Sequence, residues 1–248
     1  MSPTLTDLSH EAFSALDKAL VARPELVVQP AVPILYFGNE PAYRRSPLKI
    51  VTVGLNPSLA EFPADNPFQR FPRAEGPGPG PVYLEALNEY YRVTPYRRWF
   101  NTFSGLLHGL DASFYGDQPN VALHTDLGTP VATNPTWSKL PRGVGSELGT
   151  IGTPLWHNLV RELQPDVILI SVAKARLASI QFAPVDEWRT IHTLPRKRPY
   201  QVQTRLVRIA GDTTTLLVWG EAAQTPFGSV SYADKLIIAG STRKALHV

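Results

Sequence analysis

The chain has 248 residues, 43% of them hydrophobic and 18% charged, which suits a packed core in one domain, with or without an extension, and excludes global disorder. The net charge of +3 permits a polyanion partner without requiring one. The absence of cysteine excludes a disulfide scaffold, a thiolate nucleophile, a zinc–thiolate site and a Cys-ligated iron–sulfur cluster.

The opening M-S-P-T-L-T-D-L-S-H-E-A-F lacks the basic start and apolar run of a secretory signal. No stretch approaches the roughly 18–20 apolar residues of a membrane span. A soluble, cytoplasmic protein is expected. Leu5, Leu8, Phe13, Leu16 and Leu20 recur at near-helical spacing and predict an amphipathic helix over 5–21. Residues 23–47 are Pro-rich and read as irregular, with Arg44-Arg45 before Ser46-Pro47. Residues 1–47 are thus expected to be a helical and irregular extension, and 48–248 an α/β domain.

Residues 49–54 read as a buried strand. The stretch 57–95 contains F-P-R-A-E-G-P-G-P-G-P-V-Y, where Pro removes ladder donors, so a long loop with a short helix near 82–92 is expected. Such a loop is either functional or a plain surface excursion. Apolar positions 99, 100, 103, 106, 107 and 110 predict a helix over 96–110 with Arg97 and Arg98 outside. Residues 121–127 look strand-like, and 153–163 helical with Pro154 at the helix start. Residues 166–172 form a second buried strand, followed by a short helix through Leu177. Strands are expected near 188–194, 202–209 and 214–219, and a last helix over 231–239. This alternation implies an α/β fold with a mainly parallel central sheet and helices on both faces. Ligands of such sheets bind beyond the carboxyl ends of the strands. Gly54–Ser58 holds that place for the first strand, and Gly220-Glu221-Ala222 for the strand before it.

Taken alone, G-L-N-P-S at 54–58 reads as a strand-to-loop turn, because Asn tolerates unusual φ and Pro fixes the next one. More of the chain agrees with a functional reading. Gly54-Leu55-Asn56-Pro57-Ser58 resembles the first motif of the uracil-DNA glycosylase superfamily, most closely its mismatch-specific and single-strand-selective branches, which carry Asn there. Asn66-Pro67-Phe68 then matches the aromatic residue that stacks on an extruded base. Arg97-Arg98-Trp99-Phe100 is similar to a helix start of the mismatch-specific branch, and L-Q-P-D-V-I-L-I-S-V-A-K-A-R-L to a strand–helix unit. The resemblance covers roughly residues 48–180. The family's second motif, His-Pro-Ser or Asn-Pro-Ser, is replaced by W-G-E-A-A-Q-T-P-F-G-S at 219–229, where Glu221, Gln224 and Thr225 are the substitutes on offer.

The resemblance implies a three-layer sandwich and a cofactor-free DNA glycosylase of base-excision repair, acting on a nucleotide flipped out of the stack. Asn56 would hold the attacking water and, carrying no charge, would turn over slowly. Backbone N–H groups near Gly54, Leu55 and Asn56, beside Pro57, would face a base carbonyl. Phe68 would stack on the base, a contact worth roughly 1–3 kcal/mol. Ser58, standing where the most uracil-selective branch has Tyr, implies a roomier pocket. Asp126 aligns with a base-reading Asn; as a carboxylate it would favour a base with an adjacent amino donor or be protonated. It reads equally as a turn or N-cap carboxylate. Asn134 is a second reader or a turn residue. Arg97, Arg98, Lys174, Arg196, Lys197 and Arg198 would contact DNA phosphates, with solvated loops as the plain alternative.

The six histidines show no metal-binding spacing, and His124, His157 and His108 read as structural. Ser58 and Ser171 lack the G-x-S-x-G context of a serine hydrolase. Pro removes the donors a phosphate loop would need at G-P-G-P-G. Two other readings stay open: a lesion-binding protein of the same fold that does not cut, and an unrelated hydrolase of small nucleosides or nucleotides. Oligomeric state leaves no signature in the sequence.

Overall fold

The computed structural model describes residues 3–222 and 225–246. The protein is α/β, with a mixed, mostly parallel central sheet and flanking helices. Two compact units divide the chain. The first takes residues through Glu40, Gly54–Tyr96 and His124–Leu163; the second takes Pro41–Val53, Arg97–Leu123 and Gln164 onward.

In the first unit, α1 (Leu5–Ala22) starts where predicted. Thr4 caps it reciprocally: its hydroxyl accepts from the Asp7 N–H at 3.2 Å, and the Asp7 carboxylate accepts from the Thr4 N–H at 2.9 Å. Leu16 and Ala19 on its buried face share a core with Val27, Val131, Val144 and Leu148. Glu40 opens a short helix, α2 (Glu40–Arg45), inside the stretch read as irregular. The long loop carries a 3₁₀ turn at Leu59–Glu61 and then α3 (Pro81–Glu89), with Pro in its first turn.

The second unit is organised around buried strands. β1 (Ile50–Gly54) pairs in parallel with β5 (Val167–Ile170), which pairs in parallel with β9 (Thr213–Gly220). Their continuous apolar runs suit a sheet covered on both faces. β8 (Tyr200–Ala210) runs antiparallel to β9 and carries β6 (Ala183–Pro184) and β7 (Arg189–Leu194), also antiparallel. The segment read as one strand over 121–127 breaks at Ala122. β3 (Asn120–Val121) pairs with β2 (Ala112–Ser113) in a separate ribbon, and Leu123–Asp126 forms a strand of its own, β4.

Three helices depart from expectation. The helix over 96–110 is three pieces: α4 (Arg97–Phe100), a 3₁₀ turn at Asn101–Phe103 and α5 (Ser104–Gly109). Thr102 donates its hydroxyl to the Trp99 carbonyl at 2.7 Å, competing with the regular ladder at the break. The apolar face survives, with Phe100, Phe103, Leu106, Leu107 and Leu110 all buried. Pro154 does not start a helix but lies within α6 (Val144–Leu163). Burial of Val144 and Leu148 before it, and of Leu155, Trp156, Leu159 and Val160 after it, outweighs the one lost backbone bond. α7 (Tyr232–Leu246) runs past the predicted 239, because Thr242 is buried and Arg243 reaches the Gly109 carbonyl at 2.9 Å and Asp111 at 2.6 Å. Among the described residues no helix is long and apolar enough to cross a membrane.

Candidate functional site

The turn after β1 is stitched to the loop after β4 by its backbone. Leu127 N–H donates to the Gly54 carbonyl at 3.0 Å, Gly128 N–H to Leu55 at 2.9 Å, and Thr133 N–H to Pro57 at 3.2 Å. Within this seam the half-buried Asn56 is held by its nitrogen. Nδ2 donates to Pro57 O at 2.6 Å, Thr133 Oγ1 at 2.8 Å and Val131 O at 3.4 Å. Thr133 gives its own hydroxyl proton to the Pro135 carbonyl at 2.8 Å, so it can only accept from Asn56. Three acceptors therefore surround the nitrogen, and the amide has one permitted orientation. Oδ1 accepts no hydrogen bond among the described residues and is left to bind something else.

Asp126 closes β4, and His124 lies two residues earlier on the same face; Asp126 Oδ1 is 3.7 Å from His124 Nε2. Both side chains are 2% exposed. They explain the glycine that ends β1: a Cβ on Gly54 would stand 2.6 Å from Asp126 Oδ1 and 3.1 Å from His124 Nε2. The second Asp126 oxygen, Oδ2, is sealed from solvent and has no hydrogen-bond partner among the described residues.

Glu61 belongs to the same neighbourhood and was not singled out from the sequence. Ser58-x-x-Glu61 has the pattern of a capping box, which would place the carboxylate at the surface. Ser58 does cap the 3₁₀ turn, accepting from Ala60 N–H at 3.3 Å. Glu61 instead turns inward and accepts the Tyr90 hydroxyl at 2.6 Å, with Arg70 Nε 4.0 Å away. Burial pushes its pKa up to about 7; Tyr90 and Arg70 oppose that rise, and the Asp126 charge adds to it. Burial and the Glu61 charge in turn push the Tyr90 phenol well up.

This carries a stability consequence. Unfolded Glu61 ionises near 4.5, so the folded state loses stability as pH climbs from there to about 7, after which the penalty is constant. The full shift corresponds to about 3 kcal/mol. Glu61→Gln is expected to be the more stable protein above pH 7 and to lose that advantage near pH 4, as read by chemical denaturation across pH.

Phe68 ends an aromatic column. Tyr90 stacks on Phe71 at 5.1 Å, Phe71 on Phe62 at 5.7 Å, and Phe62 meets Phe68 edge-on at 6.3 Å. Phe68 is half-buried, whereas Phe62 and Phe71 are fully enclosed. The column fixes where the Phe68 ring stands and leaves part of it uncovered.

Gly54, Leu55, Asn56, Pro57, Ser58, Phe68 and Asp126 thus all lie in the first unit. The second-motif loop candidates and the basic residues read as phosphate contacts lie in the second. Glu221 is exposed just after β9, and Thr225 is exposed in a turn, its carbonyl accepting from Gly228 at 3.0 Å; Gln224 lies outside the described residues. Arg97, Arg98, Lys174, Arg196, Lys197 and Arg198 are exposed. Arg97 covers the Tyr115 ring at 4.5 Å, and Arg196 donates to Ser229 Oγ at 3.1 Å. Ser171 donates to the Gly220 carbonyl at 2.9 Å and accepts from Phe227 N–H at 3.0 Å, a structural use of its hydroxyl. In the first unit Asn134 is exposed, with its N–H on the Leu26 carbonyl. His157 is bonded through Nδ1 to Thr153 O at 2.8 Å on α6, and burial lowers its pKa. His108 meets the Tyr232 hydroxyl at 2.8 Å. Among the described residues no three His, Asp or Glu side chains gather as metal ligands would.

No protein-family model matches the chain, and no curated protein matches it.

Proposed function

We propose that the protein is a DNA glycosylase of the uracil-DNA glycosylase superfamily, with that family's three-layer sandwich, hydrolysing the N-glycosidic bond of uracil or a related deaminated or damaged base in base-excision repair. The observation that carries this reading is the Asn56 amide, locked by its nitrogen and offering Oδ1 as an acceptor at the carboxyl end of a parallel strand. Oδ1 holds and orients a water against the sugar carbon as the bond to the base lengthens. The sugar then carries oxocarbenium character and the base leaves as an anion. Phe68 stacks on the extruded base with the uncovered part of its ring. Asp126 meets the base edge. The exposed arginines and lysines of the second unit contact phosphates. No cofactor takes part. Asn56 has no charge to offset the sugar cation, and no His-Pro-Ser follows β9, so turnover is slow.

The absent second motif also supports a second reading, a protein that binds the lesion without cutting it. Base release from labelled oligonucleotides decides between them, with uracil, hydroxymethyluracil, hypoxanthine and xanthine in single strands and opposite each base. Release that falls at least about 10²-fold in Asn56→Ala is the expected result. Tight binding with no release at any base, under enzyme excess, selects the second reading; neither binding nor release removes both.

A further inference from the structure

The proposed reading leaves open which base the site accepts, and Asp126 bears on that directly. A carboxylate can only accept hydrogen bonds. Oδ2 is enclosed without a donor among the described residues, and Oδ1 faces His124 Nε2 at 3.7 Å, beyond hydrogen-bonding range. Glu61 differs in having its oxygen met by the Tyr90 hydroxyl. A buried acceptor without a donor is costly, and a ligand that brings N–H groups relieves that cost. Oδ1 also stands against the Gly54 backbone, two residues before Asn56, at the border of the proposed site.

Resting on the glycosylase reading, we infer that Asp126 selects a flipped-out base whose pairing edge carries a ring N–H beside an amino group, the guanine pattern. Two adjacent donors match the two carboxylate oxygens as a fork. Uracil and xanthine offer a ring N–H between two carbonyls, so one carboxylate oxygen would face a carbonyl and be repelled. Hypoxanthine, which lacks only the amino group of guanine, falls between. An Asn at this position would reverse the preference, because its amide pairs one donor and one acceptor with N–H and C=O.

The test is base release by the full chain from oligonucleotides containing 8-oxoguanine, hypoxanthine, xanthine or uracil, compared with Asp126→Asn. The parent is expected to release 8-oxoguanine about tenfold or more faster than uracil, the discrimination of one good two-point contact, with hypoxanthine between them. Asp126→Asn is expected to shift that ratio at least tenfold toward uracil. A parent that releases uracil fastest overturns the inference whether or not the variant folds, and so does a folded variant with an unchanged ratio. Titration of the parent with free isocytosine, which has the guanine-type edge, and with free uracil gives an answer independent of catalysis. Tighter isocytosine binding is expected, and equal or weaker binding overturns the inference. Absence of any base release with isocytosine still preferred removes the glycosylase reading alone.

Discussion

Asn56→Asp is expected to be less stable than the parent by about 2 kcal/mol and slower in base release, although a charged carboxylate is the better chemical partner for a sugar cation. The reason lies behind the side chain rather than in front of it. Nδ2 gives hydrogen bonds to Pro57 O, Val131 O and Thr133 Oγ1. Two of these are carbonyls that cannot donate, and the third has committed its proton to Pro135 O. A carboxylate oxygen in the place of Nδ2 meets acceptors on every side. Thr133 could turn its hydroxyl toward it only by abandoning Pro135. The carboxylate therefore rotates away or takes up a proton, and either response spoils the placement of the remaining oxygen. Asn56→Ala loses the same anchoring bonds but introduces no repulsion, so its stability is expected to lie between parent and Asn56→Asp. Denaturant midpoints for the three proteins, read with their release rates, check the order; an Asn56→Asp protein that is both stable and faster would refute this account of the amide.

Gly152→Ala is expected to cost about 3 kcal/mol, lowering the melting temperature by about 6–12 °C. A Cβ at this position would lie 2.1 Å from the Gly128 carbonyl oxygen and 2.4 Å from Thr129 Cα. These are backbone atoms and cannot rotate aside, so α6 or the loop must move. Alanine's higher helix propensity returns about 1 kcal/mol, too little to compensate. The loop that would move is the one bonded to the Asn56 turn, since Gly128 and Thr129 N–H both reach the Leu55 carbonyl. The substitution is thus expected to slow base release although it lies on a helix away from the reacting groups. Gly149→Ala, one turn earlier, is the control. Its nearest contact would be Thr153 Oγ1 at an ordinary 3.6 Å, so it is expected to be neutral or mildly stabilising, by thermal melting of the three proteins side by side.

The parts of this fold that are legible in the sequence are those with a strong period or an unbroken apolar run. α1 follows from the spacing of Leu5, Leu8, Phe13 and Leu16, and β5 and β9 from V-I-L-I and L-L-V-W. Pro154 misleads because a local rule about prolines cannot count apolar residues buried on both of its sides. Glu61 escapes notice for a related reason. Ser58-x-x-Glu61 satisfies a capping pattern, and what turns the carboxylate inward is Tyr90, which the sequence places 29 positions away. Asn56 is visible as a residue on a strand-end turn, but its orientation is not, since Thr133 is separated from it by 77 positions. The chemistry-bearing residue types could be named from sequence; the hydrogen bonds that decide what each can still accept could not.

The seam between the turn after β1 and the loop after β4 bears on how a nucleotide would be received. Its backbone bonds and the Asn56 anchor form when the chain folds, before any ligand arrives. The entropy of ordering these two loops is then a cost of folding and not of association. On the proposed reading an arriving base would meet an acceptor amide whose placement is already fixed, and its binding energy would remain available for leaving the stack of its neighbours.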